Sequence, residues 1–356
     1  MPVKMKLVAL PALLLFAVAT FAQDTMYSDT VSVSKKTIKL SDSKRTLNAV
    51  SSKGISSIQV VQFLWDSSHI GYAQKGIGNS VVVAEPDQPV TAYLQNHINS
   101  AYSHIFEPNG VRVLMVVEAL RIAEKTGMSS EKAYIRFKGT TYGTLDGSKY
   151  LELATADIVR NNGGLDVTHK HKTNIAKAIE ELMESTLANV DDAIAQNTAA
   201  FTIEGIFNSY TAKRNIPALK DSLQDGVYMT FSEFKANKPS IAEFDVTEKK
   251  RKILVVGKGG NTINCWGFVK NGAIARHIGY TVVPISRYQD GYIVTKYLSN
   301  ARGRNAAVLW SSIGGGIIAG SIVNSTVNLV PADAFRSLSP APAGTAIDME
   351  TGAFIF

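Results

Sequence analysis

The chain has a single cysteine in 356 residues, Cys265. One thiol excludes a disulfide framework and any multi-thiolate metal site. Charge is also sparse, with 19% charged positions against 45% hydrophobic ones. That balance excludes a disordered tail and requires a buried core. The net charge of +7 falls to +5 when Lys4 and Lys6 are set aside with the segment that holds them. Such mild basicity, with no stripe of arginines and aromatics, gives no argument for nucleic acid and suits an anionic membrane surface at least as well. The 27 glycines and 11 prolines are too few for a low-complexity chain, and the length fits two domains.

Catalytic signatures are missing too. There is no Gly-x-Ser-x-Gly; Gly76-Ile77-Gly78 lacks a third glycine, and Gly257-Lys258-Gly259-Gly260 lacks the Walker spacing and its Lys-Ser/Thr end. His169 and His171 could offer two imidazoles from one side of an extended strand, but Lys170 and Lys172 oppose a cation. A solvated basic turn is the stronger reading. His97 and His104 stand seven apart on a predicted helix without an adjacent carboxylate. Cys265 beside Trp266 reads as a small core residue. No catalytic, cofactor-binding or metal residue is assigned.

What is present begins at the N-terminus. Lys4 and Lys6 precede an apolar run over 7–18, followed by Thr20, Phe21 and Ala22. The run is shorter than the roughly 20 residues of a spanning helix, and the small residues fit a signal-peptidase site. A signal peptide over 1–22 is predicted, with Gln23 opening the mature chain, and a polar linker over 23–53. A strand is expected at Ile58, Val60, Val61 and Phe63, then a glycine-marked loop and a minor strand at 81–83. Val90, Leu94, Ile98, Ala101 and Ile105 follow helical steps after Pro89. Strands are expected at 111–117, buried on both faces, at 134–142 and within 149–160. A helix closes the unit, with Ile175, Ile179, Leu182, Met183, Thr186 and Val190 on one stripe and Glu180, Glu181 and Glu184 facing away. The predicted fold is α+β: an α/β sandwich domain over 54–197 ordered strand, helix, three strands, helix, a linker over 198–224, and a β-rich domain over 225–356.

Phe63-Leu64-Trp65-Asp66 at the end of the first strand, the mid-chain helix, the strand at 111–118 and the closing helix after Asp166-Val167-Thr168 carry a resemblance. This half resembles periplasmic auxiliary subunits of ABC-type lipid or solvent-tolerance transporters and related envelope lipoproteins. The resemblance implies an envelope accessory; the usual lipid anchor is not implied, because no cysteine lies near residue 22. In the second half, Gly226-Val227-Tyr228, Cys265-Trp266-Gly267-Phe268 and the turn 348–352 resemble an uncharacterised domain of secreted bacterial proteins.

Two segments are candidates for membrane or partner contact. No charge occurs from 305 to 332, and inside the apolar segment 306–324 Ser312, Gly316 and Gly320 recur every fourth residue. Small residues at that spacing let helix backbones approach closely in a bilayer, whereas a buried glycine-rich core segment of a soluble module is the competing reading. Lys249, Lys250, Arg251 and Lys252 form the densest basic run, suited to lipid headgroups or to a solvated loop. The functional expectation is an exported, non-catalytic accessory or scaffold of the periplasm or cell envelope that meets a protein partner or a lipid surface, without cofactor or nucleic acid. The alternative is a secreted hydrolase or small-ligand enzyme with a dispersed site, for which a pocket converging Asp66 and His69 would argue.

Overall fold

Alternating branched apolar residues organise the first half, where they build one long-stranded sheet. The computed structural model of the chain describes residues 33–41, 43–76, 79–127, 130–196, 200–249, 252–302 and 329–356. The predicted signal peptide lies outside them, as do the segment 306–324 with Ser312, Gly316 and Gly320, and Lys250 and Arg251 of the basic run. The first sheet contains β1 (Lys35–Ile38), β2 (Ile55–Gln62), β3 (Gly71–Lys75), β4 (Ser80–Pro86), β5 (Val111–Thr126), β6 (Glu131–Thr144) and β7 (Leu151–Gly164). Their order is β1-β4-β3-β5-β6-β7, with β2 also on β5. β2 runs parallel to the first half of β5, and β3 joins β5 further along, at Ile122. The break between β2 and β3 therefore falls beside the middle of β5. Gly71 opens β3 at φ +122°, and a Cβ there would lie 2.0 Å from the Ile122 carbonyl oxygen, so only glycine fits.

α1 (Val90–Tyr102) and α2 (Lys170–Gln196) cover one face of this sheet. Leu94, Ile98, Ile175, Ile179, Leu182 and Met183 are buried there with Val111, Val113, Met115 and Val117. Past Val117 the phase changes: a bulge between Val117 and Ala119 adds a residue to β5, and Leu120 and Ile122 then face the helices. The opposite face of the sheet is covered in three places. α3 (Ile203–Lys213) packs Ile206 and Tyr210 on Leu114, Val116 and Tyr142. Tyr72, Val81 and Val83 share a core with the second half, and Ala123 and Tyr134 meet Ala332, Leu338 and Phe356.

The second half holds α4 (Pro217–Lys220), α5 (Phe231–Ala236) and two antiparallel sheets. One contains β8 (Gly226–Tyr228), β12 (Gly267–Lys270), β13 (Ala273–Ile278), β14 (Thr281–Tyr288), β15 (Gly291–Val294), β16 (Ala346–Ile347) and β17 (Phe354–Ile355), in the order β17-β16-β15-β14-β13-β12-β8. The other is β9 (Phe244–Lys249), β10 (Lys252–Gly257) and β11 (Thr262–Ile263). The phrases Gly-Val-Tyr, Trp-Gly and Thr-Gly converge here. Gly267 pairs with Tyr228, the Trp266 amide donates to the Tyr228 carbonyl at 3.0 Å, and Trp266 Nε1 donates to the Gly352 carbonyl at 3.1 Å. Gly352 sits at φ +75°, where a Cβ would come within 2.4 Å of Phe231 Cγ.

The chain is thus α+β with a β-rich second half, as predicted, and several local expectations change. The glycine-marked loop after residue 70 is the β3–β4 hairpin, because Tyr72 and Ala73 have cores to enter on opposite faces. The stretch read as a linker over 198–224 contains α3 and α4, held by the apolar contacts just described. Part of the polar segment 23–53 is docked: β1 pairs with β4, and residues 45–53 run along α2. Glu180 and Glu184, expected to face away, hold that strap. Glu180 pairs with Arg45, while Glu184 accepts from the amides of Asn48 at 2.6 Å and Ala49 at 2.7 Å. Asp191 accepts from the Ser52 amide at 2.7 Å.

Candidate binding cleft between the two sheets

Where the break between β2 and β3 meets the bulge of β5, the first sheet and the second leave an open cleft of about 860 Å³, the space at its mouth included. Its walls come from the break (Phe63, Trp65, Asp66), the bulged strand (Glu118, Arg121), β6 (Arg136, Lys138), the end of α3 (Tyr210, Lys213, Arg214) and the second half (Tyr288, Asp348, Glu350). Local sequence accounts for each position. The extra residue in β5 puts both Glu118 and Ala119 on the cleft, and alternation along β6 sends Arg136 and Lys138 there while Ile135 and Phe137 enter the helix-side core. Asp348 is fixed by the turn it caps, its Oδ1 accepting from the Glu350 amide at 2.8 Å and the Thr351 amide at 3.1 Å.

Most charges of the cleft are paired, in two clusters that each reach across the two halves. Arg136 grips Asp157 with Nε at 3.1 Å and Nη2 at 3.0 Å, and reaches Asp348 with Nη1 at 3.1 Å. Lys138 Nζ lies 3.1 Å from both Glu350 carboxylate oxygens and 3.5 Å from Glu118 Oε2, which also accepts from Lys213 at 3.0 Å. Burial works against both cations, but the bonds to Asp157 and Asp348 outweigh it for Arg136, and those to Glu350 and Glu118 for Lys138. Both pKa values therefore stand above their ordinary range. Arg121 is buried, donating Nε to the Phe356 carbonyl at 2.5 Å and Nη2 to Thr345 Oγ1 at 3.1 Å. Arg214 lies over the rings of Trp65 at 5.4 Å and Phe63 at 5.7 Å, and Lys213 over Tyr210 at 4.6 Å. Half-burial lowers the Arg214 pKa, with Asp290 opposing.

Asp66 and His69 come together, as the enzyme alternative requires. His69 Nε2 is 3.2 Å from Asp66 Oδ2, an approach without hydrogen-bond alignment, for both atoms are buried and make no hydrogen bond. His69 Nδ1 accepts from the Gly71 amide at 2.9 Å, which places the proton of the neutral ring on Nε2. Burial, followed by the charge of Arg121 and against that of Asp66, pushes the His69 pKa down to about 4. With 1% exposure and both nitrogens turned to protein atoms, His69 stiffens the break behind the cleft wall and does not itself line the cleft.

The other residues singled out from the sequence lie elsewhere. Lys249 and Lys252 face each other at the exposed β9–β10 hairpin end, with Lys252 Nζ 4.1 Å from the Tyr280 ring centroid. His171 is not part of a solvated turn. It sits in the first turn of α2, fully buried, with Nε2 2.9 Å from Glu124 Oε1, while His169 is exposed. His97 is buried with Nδ1 3.0 Å from the Ser41 carbonyl, and His104 is exposed. Cys265 is buried in the connection before β12, and burial pushes its thiol pKa up to about 11, against the pull of Arg276. Among the described residues no group of three His, Cys, Asp or Glu side chains could hold a metal ion. No described helix is long and apolar enough to cross a membrane.

Of the cleft, the sequence offers only Asp66 as a candidate site residue; Phe63 to Trp65 and the turn 348–352 stand out only as phrases of a resemblance, and Glu118, Arg121, Arg136, Lys138, Lys213 and Arg214 do not stand out at all. The available signal was the change of phase in β5: apolar residues toward the helices occupy odd positions up to Val117 and even ones from Leu120. Such a change across a lone Glu marks a bulge, and bulges re-aim side chains near sites.

No protein-family profile and no curated protein matches the chain. Among solved structures, a Xanthomonas campestris protein of family DUF330 is similar at 11% identity and TM-score 0.30, over 47% of this chain and 99% of that one. An uncharacterised protein gives 11% identity and TM-score 0.24, over 46% and 99%. A putative neuraminyllactose-binding hemagglutinin homolog from Helicobacter pylori gives 9% identity and TM-score 0.14, over 49% and 98%. At these scores the likenesses carry no inference about activity.

Proposed function

We propose that the chain is an exported, non-catalytic accessory protein of the cell envelope that holds an envelope component in the cleft between its two sheets. The observation that carries this reading is the pairing of Arg136, Lys138 and Lys213 with Asp348, Glu350 and Glu118, in which β6 is tied to the turn at Asp348 and Glu350 of the second half. Groups locked into such a network make a rigid, preorganised wall for binding, whereas a general base or nucleophile has to be left with a proton or lone pair to exchange. The predicted signal peptide and the resemblance of the first half to transport auxiliary subunits supply the envelope part of the proposal. The hydrolase alternative rests on Asp66 and His69. The acceptor role of Nδ1 and the burial of the ring weigh against it.

The test is a photocrosslinker placed at Tyr288 on the cleft, or at the exposed Lys258 of the third sheet as control, in whole cells. The expected outcome is a discrete adduct from position 288 in the envelope fraction and none from 258. Equal labelling from both positions, or none from 288, contradicts the reading.

A further inference from the structure

The chemistry of the cleft goes beyond the statement that it binds something. Resting on that reading, we propose that its ligand is a neutral saccharide. Two independent features of the wall lead there. The first is charge. Lys138 already has Glu350 and Glu118, and Arg136 already has Asp157 and Asp348. An anionic or cationic ligand could pair with one of these groups only by competing with its internal partners, and Glu118 and Asp348, whose side chains are 11% and 9% exposed, would then lose a counter-charge, which works against the new pair. An uncharged polyol has no such requirement. A carboxylate has about four lone-pair sites, and a lysine or arginine has several N–H donors, so the ion pairs leave acceptors and donors over. Hydroxyls that bond to these charged groups make charge-assisted hydrogen bonds without breaking any pair.

The second feature is the aromatic side of the cleft. Trp65 is half-buried at the break between β2 and β3, steadied by the Arg214 guanidinium and by Phe63, which is itself stacked on Tyr210 at 5.0 Å, with Tyr288 on the second sheet also lining the cleft. Rings held in this way offer flat apolar surface at little further cost in conformational freedom. A pyranose ring has the matching make-up: its C–H face is apolar, and its equatorial hydroxyls point outward to donors and acceptors at the rim. A lipid chain would use the aromatic surface and leave the charged network without partners. A free phosphate or carboxylate would find Arg136, Lys138, Lys213 and Arg214 already paired with carboxylates, and Arg121 buried and held by the Phe356 carbonyl and the Thr345 hydroxyl.

The test is titration calorimetry of the full mature chain with a panel of neutral oligosaccharides of the gluco-, galacto-, manno- and N-acetylhexosamine series. Phosphatidylglycerol vesicles and an oligoglucuronate of equal length serve as charged comparators. Saturable binding of at least one neutral oligosaccharide is expected, weakened roughly tenfold by Trp65→Ala and little changed by Trp65→Phe. Lys258→Ala, away from the cleft, should bind as the wild type does. Silence across the neutral panel, preference for the vesicles or the oligoglucuronate, or saccharide binding indifferent to Trp65→Ala with the variant folded, overturns the proposal. A Trp65→Ala chain that does not fold passes the decision to Tyr288→Ala, read in the same way. The two proposals fail separately. A bound oligosaccharide recovered shortened removes the non-catalytic reading and keeps the saccharide, whereas an adduct at position 288 with no saccharide bound removes the saccharide and keeps the binding cleft.

Discussion

At the scale of single residues, the break between β2 and β3 depends on His69, whose ring is buried and whose Nδ1 fixes the turn into Gly71. Its folded pKa of about 4 lies below the unfolded value of 6.5. Between those pH values the unfolded chain binds a proton that the folded chain refuses, so the contribution is complete above about pH 6.5 and is lost as pH falls toward about 4. The slope is about 1.4 kcal/mol per pH unit, or roughly 3 kcal/mol across the window. Chemical denaturation of wild type and His69→Asn at pH 7 and pH 4.5 should show the wild type losing more stability on acidification than the variant. Equal losses would place the proton elsewhere. The sequence names Asp66 and His69 only as a pair whose convergence in a pocket would argue for an enzyme. It could not say that the ring is sealed behind the wall, because burial there comes from strands more than a dozen residues away. Gly352 was legible only as part of a phrase, and its partner Phe231 is more than a hundred positions earlier.

At the scale of elements, the legible parts were those whose period stays constant. α2 shows its stripe from Ile175 to Val190 without interruption, and Pro89 marks the start of α1. The strand at 111–117 was legible as doubly buried, and it is, with odd residues toward the helices and Leu114 and Val116 toward α3. Its continuation to Thr126 was not, since reading along a single phase stops at Glu118. The bulge yields a sharp expectation. Glu118 is the added residue, so deleting it leaves the faces of every later residue unchanged, whereas inserting an alanine between Met115 and Val116 sends each later side chain to the wrong face. The Glu118 deletion should keep the far-ultraviolet circular dichroism of the parent and cost about 1–2 kcal/mol through the lost partner of Lys138 and Lys213. The insertion should not fold. A deletion as damaging as the insertion would mean that the bulge is needed for the sheet itself.

At the scale of the whole molecule, a division into domains over 54–197 and 225–356 implies that the first folds alone, and the packing across that division argues for a shared core. Tyr72, Val81 and Val83 of the first sheet belong to the core of the second half, and α3 lies on the first sheet although it follows the expected boundary. A fragment over 48–198 would leave both surfaces uncovered. Its thermal unfolding should be broad and accompanied by binding of a hydrophobic dye, whereas the full chain melts in one cooperative transition. A sharp transition in the fragment would restore the boundary. Composition could not reveal this union, because it is carried by contacts between residues from 68 to 235 positions apart, such as Tyr142 with Tyr210 and Arg121 with Phe356. The cleft exists only because of it, and the proposed role needs that cleft to face the envelope. The most direct measurement is therefore the intact mass of the protein recovered from separated cytosolic and envelope fractions. The account predicts a chain starting at Gln23 in the envelope fraction, and a chain retaining Met1 and confined to the cytosol would contradict it.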